Sequence, residues 1–447
     1  MSAPGSSRPE RLPGHGCTIP VPPITPGGLD DQGKPRVLIS GGGIGGLTLA
    51  ILLHKANIPF LVLEKAKEIK PLGIVGFGEY VIARPELYDL LWRQIPRERI
   101  LLGKKILSFT QNSEIVLVRC SDGSAYYGNI LVGADGAYSA VRQHLYKDLK
   151  IDKSPTSGQV ALPFSCVCLV GQTQVLDPDE FPLLKKELCQ CDAILGVSTM
   201  CTWATTTTKQ NTVCWMVIHF LDKHSLKRND SFRNSEWGPE EAEALAREVR
   251  PFKVPGGKDG RQLTLGEYID QTPRQQMSKV MLEEIVFDTW HGGRTVLLGD
   301  ACHKMSPAGG AGAVTAIHDA VTLANWISTL RYATEKDVEK VFKEYRAERY
   351  PVAMQAFESS QMFIQNLGKN MRASLVRGMI KRLPHWLWRR IILKKVAPRN
   401  QASFLPLAED NAKTKPLYQR SLHKTLAIHR ELARNLEATL SNNPVAV

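Results

Sequence analysis

No apolar run in the 447 residues approaches the ~20 that a membrane-spanning helix needs, which excludes a helical spanning protein. The first thirty residues hold Pro, Gly and Ser but no apolar stretch behind a basic start, so a secretory leader is not expected. No CxxC pair occurs among the nine cysteines. Cys166/Cys168 and Cys189/Cys191 are spaced by two, the spacing that puts both thiols on one face of a strand, so buried reduced thiols are expected for the first pair and no metal site. There is no internal repeat and no low-complexity tract, which excludes solenoids and propellers. The expectation is an intracellular chain, cytoplasmic or peripheral on a membrane.

Acid is missing from one stretch. Between Ser359 and Ala408 there are ten Lys or Arg residues and no Asp or Glu, which accounts for most of the net charge of +13. A nucleic-acid coat spreads its basic charge over a broad surface, so no nucleic-acid partner is expected and a local cause is sought.

What is present begins at Arg36, after a leader (1–35) expected to be disordered. Val37-Leu38-Ile39-Ser40 reads as a strand buried on both faces, glycines follow at 41, 42, 43, 45 and 46, and Leu47 to Ala56 reads as a helix. Phe60 to Leu63 is a second buried strand that ends in Glu64. Arg84 to Arg93 reads as a helix, Ile106 to Arg119 as a meander, and Asn129 to Gly133 as another buried strand. Strands dominate from Pro155 to Asp222, clearest at Val167–Val170 and Val213–Phe220. Helices are expected over Pro239–Val249, Lys279–Glu284 and Ala313–Leu330, with a mostly helical, basic remainder.

The turn Gly41-x-Gly43-x-x-Gly46 sits between strand and helix, with Glu64 18 residues past Gly46. The first glycine permits the turn, the second lets backbone approach a pyrophosphate, and the third lets helix and strand pack closely. A carboxylate at the end of the second strand accepts from ribose hydroxyls. An adenine dinucleotide is the ligand this unit predicts, and the motif leaves NAD and FAD open. Two further stretches repeat the form of strand, small-residue turn and acid: one carries Asp135-Gly136, the other Asp300 followed by Gly309, Gly310, Gly312 and Ala313.

In this order, with Arg84-Pro85-Glu86-Leu87 between them, the stretches resemble the flavin-dependent, aromatic-hydroxylase-like monooxygenases with one dinucleotide-binding domain. The fungal group with epoxidases of meroterpenoid and indole-diterpene pathways is the nearest likeness, over about Val37 to Tyr350. The resemblance implies an α/β fold, a Rossmann-like FAD domain (36–150 and 280–350) with an inserted β-rich substrate domain (151–279) and a helical basic C-terminal region (351–447). It implies that Gly41, Gly43, Gly46 and Glu64 hold the ADP half of FAD and that Arg84 contacts the cofactor. Asp135 would serve FAD and NAD(P)H, Asp300 the ribityl–pyrophosphate region, and the helix start at Gly312-Ala313 would face the flavin. The implied reaction is NAD(P)H-dependent hydroxylation or epoxidation of a hydrophobic small molecule with O2. A flavin oxidoreductase without oxygen insertion and a non-catalytic flavin-fold binding protein are the alternatives. The family pattern is broken in three places: only ten residues separate Gly73 from Arg84, Ala311 stands where the family has Gln, and Thr315 where it has Asn.

No catalytic acid or base follows from the sequence. His303 reads as a packing residue of its turn, with no carboxylate partner nearby in sequence. Trp215 and His219 share a strand face and either line a substrate pocket or pack the sheet. Pro384–Val396 places Leu387, Ile391 and neighbouring Trp388 and Ile392 along one helical side, interleaved with Arg389, Arg390, Lys394 and Lys395, the composition of a helix lying in a membrane interface or of one docked on the protein with a solvated basic face.

Overall fold

The computed structural model describes residues 34–67, 74–77, 80–151, 164–196, 201–220, 239–305, 310–367, 375, 378–379, 382–395, 397–410 and 414–442. Nearly all of the expected leader lies outside them. Val37–Ser40 (β1) has no polar alternation because both of its faces are covered. Phe60–Leu63 (β2), Ile100–Leu101 (β3) and Ile130–Gly133 (β4) extend it in parallel, with β1 between β2 and β4 and β3 beside β2. Ile44–Lys55 (α1) crosses between β1 and β2 and is buried along most of its length. A hairpin of 74–77 and 80–83 runs straight into Arg84–Trp92 (α2). The meander 106–128 leads into β4, and Ala140–Asp148 (α3) follows it.

The chain then builds a second, antiparallel sheet from Phe164–Gln172 (β5), Cys191–Leu195 (β6), Cys201–Thr207 (β7), Val213–Phe220 (β8) and Met277–Glu283 (β9), in the order β6-β7-β8-β5-β9. Pro239–Val249 (α4) packs on one face. The chain returns to the first sheet with His291–Gly292 (β10) and Thr295–Leu297 (β11), the latter parallel to β4. Gly312–Ile327 (α5), Glu335–Leu367 (α6), His385–Lys395 (α7) and Arg420–Asn442 (α8) complete it.

One expectation is corrected and one open alternative is decided. Lys279–Glu284 is not a helix but the greater part of β9. Its main chain pairs with β5 from Phe164 to Gly171, and that ladder outweighs the helix propensity of Lys, Met, Leu and Glu. The β-rich sheet therefore runs on to Glu283. Trp215 faces away from the dinucleotide side: with Val213 and Val217 it packs against α4 and the short helix 265–270, and its Nε1 donates to Thr272 Oγ1 at 2.9 Å. Gly171 lies opposite it on β5, and a Cβ there would sit 2.4 Å from the indole ring. His219 follows on the same face, half-buried, with Cys201 Sγ 3.5 Å from its Nδ1. Both residues pack the sheet.

The C-terminal segment is folded back on the first core. One helix, α6, runs through residue 351, where a boundary was expected. Ser421 at the start of α8 donates its backbone N–H to Glu348 at 2.9 Å, and Asn325 of α5 accepts from Ser403 N at 2.8 Å. Among the described residues no helix is long and apolar enough to cross a membrane.

Candidate functional site

The glycine turn after β1 owes its shape to three close approaches. Gly41 has φ +106°, and a Cβ on it would lie 2.4 Å from the Ala134 carbonyl oxygen. A Cβ on Gly46 would lie 2.1 Å from the Gly41 carbonyl oxygen, so this glycine lets α1 sit down on β1. At Gly43 the situation reverses: the nearest atom to a Cβ is Tyr88 Oη at 3.8 Å, so Gly43 fronts open space. Gly45, an unassigned position of the motif, also proves necessary, because its Cβ would stand 2.5 Å from Leu298 and 3.3 Å from Ala316 on α5.

That last contact sets the beginnings of α1 and α5 side by side. Neither helix has a side-chain cap, and neither has an acid in its first turn. Two sets of unpaired backbone N–H groups therefore lie together, the arrangement that attracts an anion.

The turn opens on a cavity of about 500 Å³. Its walls include Gly41, Gly42 and Gly43, Glu64 to Ala66 after β2, Arg84 and Tyr88 of α2, Lys104 and Lys105, Asp135 and Gly136 after β4, and Ser278 and Val280 of β9. The structure thus brings Gly41, Gly43, Glu64, Arg84 and Asp135 to one place, with Gly46 in the packing beneath. Asp300, Gly312 and Ala313 are not among the lining residues. Asp300 pairs with Lys304 Nζ at 2.6 Å, and residues 306–309 between it and α5 lie outside the described residues.

The acids here are held by backbone. Glu64 accepts from Gly42 N at 2.6 Å and Ala66 N at 2.8 Å, which fixes the carboxylate against the turn. Asp135 accepts from Ala140 N at 2.8 Å and Val141 N at 3.3 Å, at the start of α3. Burial pushes its carboxyl up from the ordinary value. Its Oδ1 is buried without a protein partner, as is Nε of Arg84. Two orphaned polar atoms on one cavity wall are what a bound polar ligand would satisfy. The cradle therefore fits a dinucleotide: a turn that admits backbone approach, two uncapped helix starts, a carboxylate at the end of β2, and polar atoms waiting for partners.

The second sheet shows the cavity the face opposite Trp215. Cys166, Cys168 and Ile218 are buried there, with Val170, Met216 and Phe220 packed against them, and Ser278 and Val280 carry this face to the cavity wall. Burial pushes the Cys168 thiol up to about 12, so it stays protonated and packs as a small apolar group.

Two residues with no signal at the level of motif hold the site's loops. Arg142 is 1% exposed, donates from Nη1 to Ala301 O at 2.8 Å and from Nη2 to Ala137 O at 2.7 Å, and lies 3.9 Å over the Phe287 ring. It ties the loop after β4 to the loop after β11. His303, expected to have no carboxylate partner, has one 16 residues on: its Nε2 is 2.5 Å from Asp319 Oδ2, and both side chains are fully buried. Arg349 of α6 donates from Nε to Asp319 Oδ1 at 2.7 Å. Burial pushes the Asp319 carboxyl up, but His303 and Arg349 outweigh it and hold it at about 2.

A pH prediction follows. The folded-state value lies below that of a free Asp, ~3.9, so the stabilisation is fully present above about pH 5 and is lost as pH falls through the folded value. Denaturant unfolding at a series of pH values should show the wild type losing about 2 kcal/mol more than Asp319→Asn between about pH 5 and pH 2. Parallel profiles for the two proteins would refute the assignment.

Comparison with known proteins agrees with this geometry. The profile of the FAD binding domain family matches residues 257–360, the segment with Asp300 and the start of α5. FAD-dependent monooxygenase paxM of Penicillium paxilli is 28% identical over 400 residues, 75% of this chain and 79% of its own length. FAD-dependent monooxygenase ptmM of Penicillium ochrochloron is 28% identical over 398 residues, 75% of this chain and 89% of its own. Alignments this long over three quarters of a 447-residue chain mean that the relatives carry residues which this chain lacks within the matched region. Among solved structures, Klebsiella pneumoniae HpxO complexed with FAD and uric acid superposes with a TM-score of 0.58 at 19% identity, covering 77% of this chain and 92% of that one, which shows a shared fold. Taken with the cradle, the relatives identify the chain as an FAD-binding oxidoreductase of the FAD-dependent monooxygenase kind.

Proposed function

We propose that the chain is an NAD(P)H-dependent monooxygenase that hydroxylates or epoxidises a hydrophobic small molecule, with O2 as co-substrate. The cradle carries this reading: one cavity joins the glycine turn at the uncapped start of α1, Glu64, Arg84 and Asp135 to the second sheet at Ser278 and Val280. Gly41 to Gly43 and the N–H groups of α1 would take the pyrophosphate, Glu64 a ribose, and Arg84 and Asp135 the middle of the cofactor through their orphaned atoms. Asp300, Gly312 and Ala313 would serve the flavin end. FAD, once bound, supplies the oxygen chemistry, accepting electrons from NAD(P)H and delivering one atom of O2 to substrate. The protein's own part is to bind, orient and exclude water. The sheet face that meets the cavity at Ser278 and Val280 has only uncharged side chains behind it, among them Cys168, Val170, Met216 and Ile218, which favours an apolar molecule.

Turnover of a panel of hydrophobic polycyclic alkenes and phenols under labelled oxygen tests the reading. One labelled oxygen atom per product molecule is expected. NADPH consumption with an unlabelled, reduced product would favour the oxidoreductase without oxygen insertion.

The basic C-terminal segment supplies the proposed membrane contact. On α7, Trp386 is 64% exposed and Ile391 38%, with Arg389 and Arg390 exposed between them, and Leu375 and Met379, earlier in the same acid-free stretch of sequence, are exposed too. A surface cavity of about 590 Å³ joins Trp386, Arg389 and Arg390 to Lys415. An apolar surface rimmed by cations, in a stretch without acid, suits an anionic lipid headgroup layer. Flotation with phosphatidylserine-containing vesicles at low salt, and loss of it at high salt or in Trp386→Ala/Arg389→Ala/Arg390→Ala, is expected. Failure to float with any anionic vesicle would remove the contact.

A further inference from the structure

We propose that Asp319, with Arg349 and His303, forms a buried clamp that positions the loop after β11 and the first turn of α5 for the flavin, so that its loss is read in FAD binding before it is read in the fold. The inference rests on the reading that FAD occupies the cradle.

Relative exposures of Asp319, His303 and Arg349 are 0%, 0% and 2%. Elsewhere α5 packs through the fully buried, apolar Leu323, Ala324 and Ile327, and the hydrogen bonds of its buried Thr322 and Asn325 are made by neutral groups. Apolar residues of similar volume hold such a contact at least as tightly, so stability alone does not call for charge here. Charge adds direction. Oδ1 of Asp319 is addressed to α6 through Arg349 Nε at 2.7 Å. Oδ2 is addressed to the loop after β11 twice, through His303 Nε2 at 2.5 Å and Gly299 N at 3.3 Å.

Both elements thus fixed carry residues assigned to the flavin end. The loop holds Asp300, one residue past Gly299. Gly299 has φ +61°, and a Cβ on it would lie 3.1 Å from the Ala316 Cβ, so the loop seats on α5 by backbone and depends on Asp319 for a directional bond. On the helix, Arg349 Nη2 donates to Thr315 O at 3.4 Å, and Thr315 Oγ1 donates to Ala311 O at 2.8 Å. Contacts therefore lead from α6 to Ala311, the residue just before α5. Thr315, one of the departures from the family pattern, has its hydroxyl committed to this line. Two turns separate Asp319 from Gly312, about 10 Å along the axis, so the clamp touches no cofactor and is a positioning device.

The test measures FAD affinity, flavin midpoint potential and apoprotein melting together in Asp319→Asn, Arg349→Lys and Val338→Ala. Val338 is fully buried on α6 outside the clamp and reports a purely structural loss. Asp319→Asn should raise the FAD dissociation constant on the order of 5- to 150-fold and shift the flavin midpoint potential. Arg349→Lys should fall between it and wild type, and Val338→Ala should lower the melting temperature with affinity and potential unmoved. Should Asp319→Asn not fold, Arg349→Lys against Val338→Ala makes the same comparison. Wild-type affinity and potential in a folded clamp variant, or equal effects in Val338→Ala at equal loss of melting temperature, would overturn the clamp. A wild-type chain that takes up no FAD would overturn the cradle reading, and the clamp with it.

Discussion

Replacing Gly43 by alanine should strongly weaken FAD binding while leaving the apoprotein as stable as the wild type to within about 1 kcal/mol. A methyl group there meets no protein atom closer than 3.8 Å, and the backbone at φ −73° suits alanine. What the methyl does occupy is the space through which the turn would approach a pyrophosphate. The expected loss of affinity is about a hundredfold or more, on the order of 3 kcal/mol. Gly46→Ala is the contrast. Its methyl would stand 2.1 Å from the Gly41 carbonyl oxygen, so helix and strand must part, and both stability and FAD uptake should fall. Calorimetry of the apoproteins beside FAD titration separates the two. Unchanged affinity in Gly43→Ala would mean that the cofactor does not lie over this turn.

Arg142→Met should cost about 3 kcal/mol or more in urea unfolding of the apoprotein. Methionine keeps much of the stem but leaves Ala137 O and Ala301 O, both near the cavity, without the donors that now reach them at 2.7 and 2.8 Å. Bonds from a charged donor are worth ~1.5–3 kcal/mol each, and the stack on Phe287 is lost with them. Because those carbonyls belong to the loops of Asp135 and Asp300, FAD binding should weaken in step. Arg142→Lys, which can reach one carbonyl, should lose about half as much. A change below about 1 kcal/mol in Arg142→Met would show that the two loops hold together without it.

Legibility in the sequence followed contiguity. The unit β1–α1–β2 lies within 28 residues, and its turn, its third glycine and Glu64 all stand where spacing placed them. Gly45 was hidden because its reason is α5, more than 260 residues on. The clamp was hidden for the same cause: Asp319 reads as one polar residue of a helix until the fold brings His303 and Arg349 to its two oxygens. Strand β9 was misread because its residues favour helix locally and become strand by pairing with β5. Trp215 was ambiguous because period two says which residues share a face but not which face meets the cavity. Only the register with Gly171 and the packing on α4 decide that. The short span between Gly73 and Arg84 was legible in the sequence as ten residues before α2. That span ends at Arg84, on the cavity wall, so it bears directly on whether the chain takes up FAD.

That question and the central claim meet in one measurement, the visible absorption spectrum of the purified chain after incubation with FAD, taken anaerobically before and after NADPH. The account predicts a bound flavin spectrum that survives gel filtration, bleaches on addition of NADPH, and returns when oxygen is admitted. A colourless protein, from which FAD elutes entirely free, would contradict it and make the chain a flavin-fold protein with some other use.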